Sequence, residues 1–103
     1  MNQTERITLM ESYLDEAKIT LKAYSESLKA YQEIQAKLRE LAGYYSGEDW
    51  RKDFADDEAG RLPKDLKRGV LSEDSVYDVL SENTELQAET LEVMAEILRE
   101  GRF

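Results

Sequence analysis

Two groups of acidic residues are spaced closely enough to act together. Asp49, Asp53, Asp56, Asp57 and Glu58 fall within one short stretch, and hard cations such as magnesium or calcium take oxygen ligands. The spacing lacks the central glycine of a calcium-binding loop. A solvated acidic patch therefore accounts for these residues more simply than a metal-dependent enzyme does. Asp78, Glu82, Glu85, Glu89, Glu92 and Glu96 step by fours and threes, which stacks them along one face of a helix. That ridge is about 27 Å long at the rise of an α-helix. Like charges at i, i+4 destabilise a helix mildly, so an acidic run with no base inside it is unusual. It reads either as a surface for a basic partner, as a mimic of a nucleic-acid backbone, or as the solvated back of a soluble helix.

Little other chemistry is available. The chain has no Cys and no His, which removes disulfides, thiolate metal sites, thiol nucleophiles and the commonest general base. There is no glycine-rich phosphate loop and no serine in a nucleophile elbow. Acid–base work by a carboxylate pair needs a pocket that drives the two pKa values apart, and no segment marks one. No catalytic residue, metal ligand or cofactor-binding residue is assigned; no cofactor is expected, and the chain is not expected to be an enzyme.

A third group is aromatic: Tyr44, Tyr45, Trp50 and Phe54. Exposed rings beside charges form binding hot spots. The competing reading is a plug that closes the end of a helical hairpin. Lys64, Lys67 and Arg68 make a basic patch too small to hold nucleic acid.

These groups need elements to place them. From Thr4 to Ala42 there is neither Gly nor Pro. Apolar residues recur at Ile7, Met10, Leu14, Ala17, Leu21, Tyr24, Leu28 and Tyr31, a three-four alternation that Gln35 interrupts and Leu38, Ala42 and Tyr45 resume. This predicts a helix over about 4–42 with a coiled-coil seam, stopped by Gly43. Ser46 and Asp49 predict a capped start to a short helix ending near Ala59, with Gly60 just past it. Trp50 and Phe54 then share a face, and Pro63 opens one more turn before Gly69. Ser72 predicts the cap of a third helix over about 73–100, with Glu73 and Asp74 in its first turn.

The expected architecture is all-α: one domain, 1–103, built as a long antiparallel helical hairpin with a short helical connector over about 44–71. Such a hairpin has little core, so a homodimeric four-helix arrangement is the other architecture the pattern allows. The connector is expected to cover the Gly43 end of the first helix.

The formal net charge is −9, from 14 Lys and Arg against 23 Asp and Glu. Met1–Gly43 and Tyr44–Leu71 each carry six basic and seven acidic residues, whereas Ser72–Phe103 carries two and nine. The acidity is thus concentrated in the third helix. It argues against direct nucleic-acid binding. Apolar runs are too short for a membrane span or a signal peptide, and a soluble cytoplasmic protein is expected.

The run Tyr44-Tyr45-Ser46-Gly47, Trp50, Asp53, Asp57-Glu58, Gly60, Leu62-Pro63, Asp65 to Asp74, then Val76-Tyr77-Asp78 and Leu80 resembles the small bacterial family catalogued as domain of unknown function 4298. The likeness covers nearly the whole chain and is most specific in its centre. It implies a small helical bacterial domain and transfers no activity and no functional residue. The expected function is a protein–protein interaction or regulatory module, with Tyr44, Tyr45, Trp50, Phe54 and the six ridge acids as candidate contacts. The alternative is an acidic decoy or immunity-type inhibitor of a nucleic-acid-binding protein or toxin.

Overall fold

The computed structural model describes residues 1–101. It contains helix α1 (Gln3–Tyr45), helix α2 (Glu48–Glu58), a 3-10 turn at Gly69–Leu71 and helix α3 (Ser75–Glu100). The chain is all-α. A long helix, a helical connector and a second long helix follow in the order of a helical hairpin, and the described residues include no strand. The chain divides into two compact units, Met1–Lys37 and Leu38–Phe103.

The first unit is the N-terminal part of α1, up to Lys37. Asn2 starts the helix: its side-chain oxygen accepts the Glu5 N–H at 2.8 Å, and its amide donates to the Glu5 carboxylate at 2.7 Å. The first bond satisfies one of the backbone amides that a helix start otherwise leaves open, and the second holds the two side chains together. From Met1 to Ala30, every residue except Leu9 is exposed. The predicted seam is present as a helical stripe, and no residue of α1 is buried.

The second unit holds the core, contributed by the 3-10 turn and the first turn of α3. Leu71 is 6% exposed and Val76 3%. Leu38, Leu41 and Ala42 at the end of α1 are half-buried. Leu41 lines a hollow of about 440 Å³ together with Gly69, Val70, Ser75, Val76 and Val79, while Gly43 itself is exposed.

Three local expectations need correction. Gly43 does not stop α1, which runs on to Tyr45. Its φ is not positive, and Ser46 N–H still reaches Ala42 O at 3.1 Å. The small cost of glycine inside a helix is outweighed by carrying Tyr44 and Tyr45 onto α2. Second, Ser46 does not cap α2. Its hydroxyl donates back to Ala42 O at 3.0 Å, and Gly47 takes the N-cap position with no side-chain cap. A Cβ on Gly47 would lie 3.1 Å from Gly43 O, so a larger residue there requires the turn into α2 to give by a few tenths of an ångström. Third, α3 begins at Ser75 rather than near 73. Ser72 Oγ accepts Ser75 N–H at 3.1 Å and so closes a turn ahead of the helix, leaving Glu73 and Asp74 outside its first turn.

Gly60 stands as expected just past α2, with φ +72°. Its N–H donates to Asp57 O at 3.0 Å, and Arg61 N–H donates to Asp56 O at 2.9 Å, the pattern that closes a helix through a left-handed residue. Two glycine substitutions should therefore act in opposite directions. Gly60→Ala is expected to lose roughly 1 kcal/mol. Gly43→Ala, inside a helix with open space around it, should gain about 0.5–1 kcal/mol. Urea unfolding followed by Trp50 fluorescence reads both.

Candidate functional site

The aromatic connector is a fastening built from α2 outward. Trp50 and Phe54 lie one helical turn apart on α2, with ring centroids 5.0 Å apart and planes inclined by 19°. The Tyr45 ring meets Trp50 edge-on at 5.1 Å and 74°. Stacked and edge-on pairs of this kind add about 0.5–1.5 kcal/mol beyond area burial. The polar atoms of the rings are also used. Trp50 Nε1 donates to Val70 O at 2.8 Å, Tyr45 Oη to Glu73 O at 2.9 Å, and Tyr44 Oη to Asp53 Oδ2 at 2.7 Å. All four rings are half-buried. They tie the end of α1, α2 and the 70–73 segment into one assembly.

The charged residues of the connector complete it. Arg68 Nη1 pairs with Asp57 Oδ1 at 3.0 Å and Arg61 Nη1 with Asp56 Oδ1 at 3.1 Å. Of the acids between Asp49 and Glu58, Asp53, Asp56 and Asp57 are therefore engaged with a tyrosine and two arginines. Asp49 and Glu58 face solvent. Among the described residues no three acids converge where they could hold a metal ion. Of the basic patch, Arg68 is spent on Asp57, while Lys64 and Lys67 are exposed.

Sequence spacing did not give these pairings. Asp57–Arg68 and Tyr44–Asp53 join residues far outside helical i, i+4 reach. The connector is acidic over 48–60 and basic over 61–71, a signal that could have suggested the Asp57–Arg68 pair but not Tyr44–Asp53.

The ridge is placed differently. Asp78, Glu82, Glu85, Glu89, Glu92 and Glu96 all lie on α3 and are all exposed. None of them joins an ion pair with a described residue. The aromatic group and the acidic group are thus distinct in kind: one is consumed in internal bonds, and the other is offered to solvent.

These features define a small all-α domain in which a locked aromatic connector carries long helices with exposed charged and apolar faces. The family model for a domain of unknown function, DUF4298, matches residues 7–93, and the chain belongs to that family. No curated protein and no solved structure matches it.

Tyr44 carries the electrostatic signature of the fastening. Its phenol is pushed up to about 12, first by burial, then by the hydrogen bond to Asp53 and the negative charges of Asp53 and Asp49. The folded state holds this proton more tightly than the unfolded chain, where a tyrosine titrates near 10. Its contribution is therefore complete below about pH 10 and is lost as pH rises toward 12. Alkaline titration followed by tyrosinate absorbance should show one late-titrating tyrosine that Tyr44→Phe removes. Trp50→Ala should cost roughly 2–3 kcal/mol, because it removes both ring contacts and leaves Val70 O without its donor. Urea unfolding followed by circular dichroism measures that loss.

Proposed function

We propose that this protein is a non-enzymatic interaction or regulatory module of the bacterial cytoplasm, and that α3 presents its acidic ridge to a basic protein surface. The observation that carries this reading is the exposure of six regularly spaced carboxylates with no ion pair among the described residues. Isolated surface charges are easily tolerated, but a single-sign ridge raises the local potential and attracts a complementary surface. The connector supports this role by fixing the root of α3. Tyr45 bonds to Glu73 O, and Val76 in the first turn of α3 is buried.

The partner should be captured from the native host by the full chain. The triple reversal Glu82→Lys, Glu85→Lys and Glu89→Lys is expected to abolish capture while leaving helix content and Trp50 fluorescence unchanged. Binding should weaken at least tenfold between 50 and 500 mM salt, because exposed charges are screened over about a Debye length. Binding that ignores both salt and the reversal would remove the ridge as the contact.

The regular spacing of the same ridge favours a second reading, an acidic decoy or immunity-type inhibitor that occupies a nucleic-acid-binding or toxin site. The two readings differ in what displaces the partner. Duplex DNA or RNA should compete with the ridge for a decoy target, and should leave an ordinary adaptor complex intact.

A further inference from the structure

The N-terminal part of α1 carries a face that the acidic ridge does not explain. Ile7, Met10, Leu14, Leu21, Tyr24 and Leu28 line its three-four seam, and they are 49% to 67% exposed. Nothing in the Met1–Lys37 unit can cover them, because that unit is a single helix. In proteins most helical stability comes from packing of such a face.

We infer that this seam is an interface between two copies of the chain. The inference concerns a different face from the ridge and stands apart from the partner proposed above.

Three observations select a second copy as the occupant. The first is the pattern itself. A seam of alternating threes and fours with no charged residue from Ile7 to Tyr31 is the one that lets a helix pack against a like helix by knobs into holes. The second is charge. Met1–Lys37 carries five basic and six acidic residues, so two copies of this stretch meet with little repulsion of their own. The positions flanking the seam between Arg6 and Leu28 carry only Arg6, Glu11 and Lys18 as charges. The exposed apolar residues of α3, Val79, Leu86, Val93 and Ile97, differ because they sit in the segment with two basic and nine acidic residues, where a second copy would bring like charge to like charge. The third is area. Each of the six seam side chains leaves on the order of 100 Å² exposed, so two facing seams bury roughly 1,200 Å² or more once flanking residues join. That lies within the range of specific, stable protein interfaces. With Leu71 and Val76 as the buried hydrophobic residues, pairing would also supply core that one copy lacks.

The test is the solution mass of the full chain by sedimentation equilibrium. Purified protein at tens of micromolar should show twice its 11.9 kDa, with a melting temperature that rises with concentration. Raising salt should tighten the pair, because it screens the repulsion between two chains of net charge −9. The same salt loosens a basic partner from the ridge, so the two proposals fail independently. The double variant Leu14→Glu/Leu21→Glu should return the mass to 11.9 kDa, with Trp50 fluorescence confirming that the Leu38–Phe103 unit remains folded. Leu91→Glu, at an exposed position on α3, should leave the pair intact. A mass of 11.9 kDa at every concentration overturns the inference. So does a dimer that survives the Leu14/Leu21 variant or is lost in Leu91→Glu.

Discussion

The bond from Trp50 Nε1 to Val70 O, set within the Tyr45–Trp50–Phe54 stack, is the interaction on which the second unit depends. Apolar burial alone is small there. Burying one Leu and one Val side chain, as at Leu71 and Val76, is worth about 3–6 kcal/mol before chain entropy is charged against it. Aromatic side chains suit such a sparse interior because each brings a large apolar body with a polar end. Here the apolar bodies pack on one another, while the polar ends of Tyr45 and Trp50 reach backbone carbonyls at residues 73 and 70. Backbone acceptors fix the course of the chain between α2 and α3 in a way that non-directional burial does not.

Charge serves two purposes in this molecule. In the connector it is internal: Asp56 with Arg61, Asp57 with Arg68, and Asp53 with the Tyr44 hydroxyl. These contacts are partly solvated, and ion pairs of that kind contribute at most about 1 kcal/mol each, so their value lies more in selecting one arrangement of the loop than in stability. On α3 the charge is external, and the six carboxylates repel one another with no base between them. A helix that accepts this unfavourable spacing needs compensation elsewhere, and the anchored first turn at Val76 supplies part of it.

The helices were legible because they are decided locally. A glycine-free stretch rich in good helix formers and a three-four apolar pattern describe α1, and an uninterrupted helical pattern after Ser72 describes α3. Gly60 was legible because a left-handed residue after a helix has a strong glycine preference. Boundaries were less legible. Whether Gly43 ends a helix depends on what Tyr44 and Tyr45 find beyond it, and whether Ser46 caps α2 depends on whether its hydroxyl turns forward or back to Ala42 O. Those choices are settled by contacts, not by residue type.

The amino-acid sequence by itself determined the all-α class, the family, the seam of α1, the acidic ridge of α3 and the narrow range of chemistry open to a chain without Cys or His. These follow from residue identity and from periods of three and four, which a single helix already expresses. The tertiary structure decided the fate of the aromatic and charged residues of the connector. Tyr44 meets Asp53, Trp50 meets Val70, and Asp57 meets Arg68 only because α2 turns back between the end of α1 and the 3-10 segment. Such pairings join residues with no fixed helical offset, so only the folded path of the backbone brings them within bonding distance.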